Sequence, residues 1–328
     1  MQHLSPIYLS LILFLGPALS GSTAYDPLRA TGEYRFFDTT FTTDSGREIP
    51  LRVFHPSVFE DSPTPVILFS HGLGGSREGS NYLGRHWSGR GYVTVFVQHP
   101  GSDSSVYQGK PPQEIRRALQ AAANTENYLL RIRDIHDTIE ALENFHRDPA
   151  NSLHGHLDLS RIGMSGHSFG AKTTQAVSGE QSGFARSDSN SARHPAIRAA
   201  LPMSPSPAKA RSPETSFGAV DLPWLLMTGT QDGVPAGLSD TTPDDRRLVY
   251  AALPPGDKYE LVLDQAEHHA FTEHHARGRS RNPAHHPAIL AISTAFWDAY
   301  LGGDKDAGKW LKQETLPVLA PQDIWQFK

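Results

Sequence analysis

The segment 166–170 (GHSFG) could carry nucleophilic chemistry, because it fits the pattern G-x-S-x-G. In that pattern the serine, here Ser168, lies on a sharp turn between a strand and a helix. A side chain two residues away on either side would collide with the backbone, and glycine removes that collision and tolerates unusual dihedral angles. A strand is predicted at 161–165 and a helix over 171–176, so the context favours a nucleophile over an ordinary glycine-rich turn.

A second glycine-rich segment, 70–75 (SHGLGG), directly follows the apolar run 65–70. Acyl transfer needs two backbone N–H donors aimed at the oxyanion that develops in the transition state. Around a G-x-S-x-G serine, one donor belongs to the residue after the nucleophile, which is Phe169 here. The other comes from the loop after the third strand, where Leu73 is the best candidate. A simple strand-ending turn is the alternative.

An acid for this chemistry is expected at Asp232, which follows the apolar run 224–229. Open α/β sheets gather their functional groups at the carboxyl ends of strands, and Asp232 has that position. Asp221 and Asp264 are rivals, but each precedes or ends its strand less suitably. The alternative for Asp232 is the ordinary role of an Asp-Gly turn residue.

A base is expected directly after the strand predicted at 259–263, where His268 and His269 are adjacent. Either residue completes the chain order Ser, Asp, His that is typical of the G-x-S-x-G pattern. Adjacent side chains cannot both point at Ser168. The spacing alone does not decide between the two histidines.

The segment around this base is rich in histidine, which could suggest a metal site. It has no H-E-x-x-H motif, and adjacent histidines usually point apart. We therefore expect no metal and no cofactor, and we interpret the segment as a polar loop at the site entrance. Its histidines are His268, His269, His274, His275, His285 and His286.

The elements that must position these residues alternate between strands and helices. An opening hairpin is predicted from strands at 34–43 and 48–55, and further strands at 65–70, 92–98, 161–165, 199–203, 224–229 and 259–263. Helices are predicted within 72–91, along the apolar spacing of 129–142, and at 288–301, whereas 100–125 is interpreted as an irregular loop bordering the site. Such alternation predicts an α/β domain over 25–328, with a mainly parallel sheet covered by helices on both faces.

Composition excludes several classes of function. The chain has 328 residues, no cysteine, and 30 Lys and Arg against 35 Asp and Glu, for a net charge of −5. Without cysteine there is no disulfide, thiolate metal site or cysteine nucleophile. A mildly acidic chain without a basic block also lacks the electrostatic character of a nucleic-acid-binding protein. The oligomeric state cannot be deduced from the sequence.

The first 24 residues are predicted to be a secretory signal peptide. The run 7–15 (IYLSLILFL) is apolar, and a small-residue run follows it over 18–22, with cleavage expected after Ser20 or Ala24. The run is too short to cross a bilayer, which needs about 20 residues, so we expect no stable membrane insertion. The alternative is a buried N-terminal strand or helix. We expect an exported protein, periplasmic or extracellular.

Taken together, these motifs resemble the α/β-hydrolase superfamily, and in particular the group around predicted dienelactone hydrolases and platelet-activating-factor acetylhydrolase. The similar stretches are 68–100, 153–171, 225–235 and 267–273, and the resemblance covers most of 33–302. It implies an α/β-hydrolase fold, Ser168 as nucleophile, and Leu73 and Phe169 as oxyanion donors. The H-x-x-F pattern of the family falls on His268 and Phe271, which favours His268 as the base.

Two departures limit what the resemblance implies. Dienelactone hydrolases proper use a cysteine nucleophile, which this chain lacks. In the acetylhydrolase the acid follows the strand after the nucleophile, but the comparable stretch 200–205 contains no aspartate. The acid is then expected at Asp232, as in most dienelactone-hydrolase-like members, and a phospholipid substrate is not implied.

The resulting hypothesis is a serine esterase that acts without a cofactor on short-acyl or other small soluble carboxylic esters. A lipid or polyester hydrolase on the same scaffold is the first alternative. A peptidase or amidase would usually carry an additional domain. A non-catalytic binding protein would typically have lost one of the three catalytic residues, and all three are present here.

Overall fold

The computed structural model describes residues 24–29, 32–181, 192–207, 211–234, 238–273, 282–313 and 316–328. Within these ranges the strands, β1 to β9 in chain order, span Tyr34–Thr42, Glu48–Pro56, Thr64–Ser70, Val93–Val97, Leu157–His167, Ile197–Met203, Trp224–Gln231, Lys258–Glu267 and Ile324–Phe327. They form one sheet in the order β1-β2-β4-β3-β5-β6-β7-β8-β9. Within this order, every adjacent pair in the series β4-β3-β5-β6-β7-β8 is parallel. The pairs β1–β2, β2–β4 and β8–β9 are antiparallel.

Helices cover both faces of this sheet, which confirms the predicted α/β class with a mostly parallel sheet. In chain order, α1 to α8 span Asn81–Gly89, Pro112–Ala122, Thr125–Arg147, Phe169–Val177, Pro213–Phe217, Pro243–Ala252, His285–Trp297 and Lys305–Leu311. The core of one face joins the sheet to α1, α7 and α8. On the other face, α3 and α4 pack over the centre of the sheet, and α5 and α6 pack near β7.

Strand β3 shows why the apolar runs of this sequence form central strands. Ile67 and Phe69 pack towards α1 and α7, while Val66 and Leu68 pack towards α3. Successive side chains of a strand point to opposite faces, so a strand buried on both faces must be apolar throughout. The predicted continuous run therefore forms a strand in the centre of the sheet, with polar residues following its carboxyl end.

Helix α3 carries charge on its buried side. Asn124 caps it by accepting a hydrogen bond from the backbone N–H of Asn127 at 2.8 Å. The predicted apolar spacing began at Leu129, but that side chain is 45% exposed. Arg131 and Asp134 are instead fully buried with the apolar residues of the helix. The prediction of the helix is confirmed, and the choice of Leu129 for its inner face is wrong.

The interpretation of 100–125 as an irregular loop is also wrong. It contains a 3-10 turn at Ser104–Val106 and helix α2, which begins with Pro112 in its first turn. The sequence analysis also predicted no element after the helix at 288–301, whereas α8 and β9 follow that helix in the structure. The signal peptide predicted over 1–24 lies outside the described residues except for Ala24. In the described part of the chain, no helix is both long enough and apolar enough to span a membrane.

Candidate active site

Ser168 lies at the sharp turn between β5 and α4. Its backbone has φ 59° and ψ −112°, a strained conformation for a residue other than glycine. A Cβ added to Gly170 would overlap the carbonyl oxygen of Ser70 and lie 2.9 Å from that of His71. A Cβ added to Gly166 would lie 2.8 Å from the same oxygen of Ser70. The glycines are thus required for close packing against the end of β3, and the unusual dihedral angles belong to the serine itself.

Ser168, His268 and Asp232 form one hydrogen-bonded chain. The distance from Ser168 Oγ to His268 Nε2 is 2.8 Å, and that from His268 Nδ1 to Asp232 Oδ1 is 2.7 Å. Asp232 is fully buried, and its other oxygen accepts a hydrogen bond from Thr228 Oγ1 at 2.9 Å. A carboxylate can only accept, so Nδ1 carries the imidazole proton and Nε2 is free to accept the hydroxyl proton of Ser168.

The rival residues lie elsewhere. His269 Nδ1 is 3.4 Å from a carboxylate oxygen of Glu267. Asp221 forms an ion pair with Arg193. The backbone oxygen of Asp264 accepts a hydrogen bond from Nε2 of His285 at 3.0 Å. Of the candidate acids and bases, the geometry brings only Asp232 and His268 to Ser168.

Arg246 on α6 is a buried residue of the site that sequence analysis missed. Its Nε donates to the backbone oxygen of Asp232 at 2.7 Å and lies 3.1 Å from Oδ1 of the same residue. Its Nη1 donates to the carbonyl oxygens of Ser204 and Pro205 at 2.8 and 3.0 Å. Nη2 is 3.2 Å from His268 Nδ1, but both nitrogens carry protons, so this contact is not a hydrogen bond. Arg246 therefore fixes the loop of Asp232 against the end of β6.

The predicted oxyanion donors lie beside Ser168. A Cβ added to Gly72, the residue before Leu73, would be 3.4 Å from the Cβ of Ser168. Phe169 is the first residue of α4, and the N–H groups in the first turn of a helix have no acceptor within that helix. The loop of Leu73 is held from the other side, where Gly74 N–H donates to the carbonyl oxygen of Ser102 at 2.8 Å.

The segment after His268 is anchored to the segment 79–85, at the start of α1. The carbonyl oxygen of Phe271 accepts hydrogen bonds from Ser80 Oγ and Tyr82 OH at 3.3 and 3.4 Å. Glu273 accepts from the backbone N–H of Asn81 at 3.1 Å and forms an ion pair with Arg85. The base is thus positioned by a segment nearly 200 residues away in sequence.

His167 positions the base through a hydrogen bond to the backbone of His268. Its Nε2 lies 2.9 Å from the carbonyl oxygen of His268, which can only accept, so Nε2 donates. Burial, together with the electrostatic influence of His268 and Arg246, holds the pKa of His167 well below its usual value. The imidazole of His167 therefore stays neutral and serves as a fixed donor rather than as a second base.

Buried neutral histidines should make the protein sensitive to acid. Burial lowers the pKa of His99 to about 4 and holds that of His71 well below 6.5. These imidazoles take up protons at pH 4–6.5 only after unfolding, so the free energy of unfolding falls as pH falls through that window. For His99 the loss should be on the order of 3 kcal/mol. Urea unfolding at pH 7.5, 6.5, 5.5 and 4.5 measures it.

His99→Gln, which keeps one donor and one acceptor but does not titrate, should show a shallower fall in stability with pH. Exposed His154→Gln is the matched control and should reproduce the wild-type slope. A wild-type unfolding free energy that stays constant from pH 6.5 to 4.5 would contradict the prediction.

The histidine-rich segment is not one solvated loop, contrary to the interpretation from sequence. His285 is buried at the start of α7, and the ring of His286 stacks on Tyr82 with 3.9 Å between centroids. His274 and His275 lie outside the described residues. Among the residues that are described, no three His, Asp or Glu side chains converge as metal ligands would.

No protein-family model matches the chain, and no curated protein matches it either. What the site can do must therefore be argued from its geometry. A hydroxyl that donates to a neutral imidazole, whose other nitrogen donates to a buried carboxylate, can lose its proton as it attacks an electrophilic carbon. Backbone donors beside the hydroxyl can stabilise an oxygen that becomes negative in that attack.

Proposed function

We propose that this protein is a serine hydrolase of carboxylic esters, built on an α/β-hydrolase fold. The observation that carries the proposal is the chain from Ser168 through His268 to the buried Asp232, with distances of 2.8 and 2.7 Å. The order of the three residues along the chain, and the position of each after a strand of the sheet, support the same fold. The apolar run at 7–15 supports export of the protein.

Acylation begins when Ser168 Oγ attacks the ester carbonyl carbon and its proton passes to His268 Nε2. The carbonyl oxygen becomes negative in the tetrahedral intermediate and accepts hydrogen bonds from the N–H groups of Leu73 and Phe169. Asp232 stabilises the imidazolium. The bond between the carbonyl carbon and the alcohol oxygen then breaks, and the alcohol leaves with the proton from His268.

Deacylation repeats these steps with water as the nucleophile. His268 takes a proton from water as the water oxygen attacks the acyl carbon bound to Ser168. The intermediate collapses, Ser168 Oγ regains its proton from His268, and the carboxylic acid is released. Each proton that His268 accepts is returned within the same half-reaction, so the cycle needs no cofactor.

Packing beside the loop at 71–75, which carries Leu73 and is called the oxyanion loop below, supports a short acyl group. Tyr107, after the 3-10 turn, and Leu119 of α2 lie so close to Gly74 that a Cβ there would be 3.1 Å from a ring carbon of Tyr107 and closer still to Leu119. Gly74 is adjacent to Leu73, so the side chains of Tyr107 and Leu119 fill the space next to the oxyanion loop. A small ester fits such a site better than a long acyl chain.

The test is hydrolysis of p-nitrophenyl esters from acetate to dodecanoate, combined with covalent labelling by a fluorophosphonate and mapping of the labelled peptide. We expect rates to fall beyond butyrate and the label to be on Ser168. Rates that peak at long chains would replace the short-acyl proposal by a lipid or polyester substrate. A folded protein with neither hydrolysis nor label would overturn the proposed activity.

A further inference from the structure

A second chain of serine, histidine and aspartate lies behind the oxyanion loop. Ser70 Oγ is 2.9 Å from His99 Nε2, and His99 Nδ1 is 2.9 Å from Asp134 Oδ2. All three residues are fully buried, so no substrate can reach this serine. Asp134 is also paired with Arg47, with 2.8 Å between Oδ1 and Nε. This chain is therefore a structural support, and what it supports is Arg131.

Arg131 binds the backbone of the oxyanion loop from inside the protein. Nη1 donates to the carbonyl oxygen of His71 at 2.6 Å and lies 3.4 Å from Ser70 Oγ. Nε donates to Ser102 Oγ at 2.8 Å, and Nη2 lies 3.4 Å from the carbonyl oxygen of Gly72. The planar guanidinium spreads these contacts over its three nitrogens, which fixes its orientation.

The carbonyl group of Gly72 determines where Leu73 N–H points, because both belong to one planar peptide group in which they are directed oppositely. That carbonyl oxygen accepts from His71 Nδ1 at 2.6 Å, and His71 Nε2 accepts from the backbone N–H of His99 at 3.1 Å. The same oxygen accepts from the backbone N–H of Gly75 at 3.0 Å. With its carbonyl bound by His71, Gly75 and, at 3.4 Å, Arg131, the peptide directs Leu73 N–H away from these groups. Hydrogen bonds to the carbonyl also polarise the peptide and strengthen its N–H as a donor.

Arg131 also contacts the second donor residue. The carbon of its guanidinium lies 4.4 Å from the ring centroid of Phe169, within the range of a cation–π interaction. Among the described residues Arg131 forms no ion pair, and Asp134 and Asp103 balance its charge only at longer range. A buried cation without a carboxylate partner is costly. Its hydrogen bonds are made to Ser70 Oγ at the end of β3, to the oxyanion loop and to Ser102 of the adjoining loop.

We infer that Arg131 is a positioning residue that holds both oxyanion donors, Leu73 N–H and Phe169 N–H, in the orientation needed for ester hydrolysis. The inference rests on the proposed function. Arg131 touches neither substrate nor Ser168, and it acts through the loop at 71–73 and through the ring of Phe169. The chain Ser70, His99 and Asp134 keeps its guanidinium in place.

The test compares Arg131→Met and Arg131→Lys with wild type, using kcat per active site from fluorophosphonate titration. For Arg131→Met we expect kcat to fall about 100-fold with KM changed by less than about 3-fold, because oxyanion contacts act in the transition state. The affinity for an alkyl boronic acid, which becomes tetrahedral on Ser168, should fall in parallel. Arg131→Lys keeps the charge and one donor and should recover part of both.

Arg90→Met is the matched control, since Arg90 is a largely buried arginine paired with Asp298 away from the site. It should reduce stability without lowering kcat per titrated site. A purely structural role for Arg131 would reduce only the number of titratable sites. If Arg131→Met does not fold, Arg131→Lys carries the test, with an expected loss of at least about 10-fold in kcat.

Three possible results distinguish a failure of the inference about Arg131 from a failure of the proposed function. An active wild type whose Arg131 variants keep the wild-type kcat and boronate affinity would overturn the inference and leave the proposed function intact. An active wild type with selective losses in these variants supports both. A folded wild type that neither hydrolyses esters nor takes up the fluorophosphonate overturns the proposed function, and the inference with it.

Discussion

Ser168→Ala should lower kcat for ester hydrolysis by about 10⁴–10⁶-fold, because the proposed mechanism forms the acyl-enzyme on Ser168 Oγ. The residual rate would come from oxyanion contacts and substrate binding alone. The fold should be retained, because the one side-chain hydrogen bond lost within the described part of the chain is that at 2.8 Å from Oγ to His268, worth about 1 kcal/mol. Initial rates and a urea unfolding curve measure both effects.

Ser216→Ala is the matched control for this variant. Ser216 on α5 is a buried serine away from the site, and its hydroxyl has no hydrogen-bond partner among the described residues. Its removal should leave both hydrolysis and labelling unchanged. If a folded Ser168→Ala protein kept more than about one hundredth of the wild-type kcat, which is far above the residual rate expected for a serine hydrolase without its nucleophile, Ser168 would not be the nucleophile.

Gly170→Ala should destabilise the protein by about 3 kcal/mol or more, the largest effect on folding that we expect from a single methyl group. The added Cβ would overlap the carbonyl oxygen of Ser70 and approach that of His71. Both atoms belong to backbone at the end of β3, so no side-chain rotation can relieve the clash. Either α4 or the oxyanion loop must move, and kcat should fall together with stability.

Gly308→Ala provides the comparison within the same protein. Gly308 lies inside α8, where a Cβ would meet no atom closer than the Cβ of Ala299 at 4.0 Å. In a helix interior the same substitution should increase stability by roughly 0.5–1 kcal/mol. The pair thus separates the general effect of replacing glycine from the effect of position. Equal unfolding free energies for the two variants would contradict the close packing around Gly170.

The residues that form the hydrogen-bonded chain could be predicted because each follows a strand with a strong pattern. The apolar run before Asp232 is typical of a strand buried on both faces, the G-x-S-x-G pattern indicates a strand before Ser168, and parallel strands bring their carboxyl ends to one edge. The choice of His268 over His269 needed more than the sequence spacing. It depends on the path of the chain at the end of β8, where a 3-10 turn begins at His268.

The two buried arginines could not be predicted in this way, because charged residues on helices usually face solvent. A signal was nevertheless present in the spacing. Arg131 is four residues before Ile135, so it shares the inner face of α3, and Arg246 has the same relation to Tyr250 on α6. A charged residue at a core position of an amphipathic helix predicts a buried polar network.

Helix α2 shows a different reason for a missed element. Its residues at positions 115, 118, 119 and 122 are the more buried ones and have helical spacing, and Pro112 stands in its first turn. The surrounding residues are polar and small, which led to the interpretation as a loop. Its contact with the segment beside Gly74 arises from tertiary packing and has no counterpart in local sequence.

The anchoring of the His268 segment to the segment 79–85 has a consequence for when the protein can act. Its hydrogen bonds join residues 191 and 192 positions apart, and the bond between Ser168 and His268 spans 100. Closing such long loops is entropically costly and comes late in folding. A growing chain that has emerged only as far as α6 already holds the nucleophile and the acid, but no base. Catalytic competence would therefore arise only after the segment beyond α6 has emerged and folded, and the chain would remain inert towards esters until then.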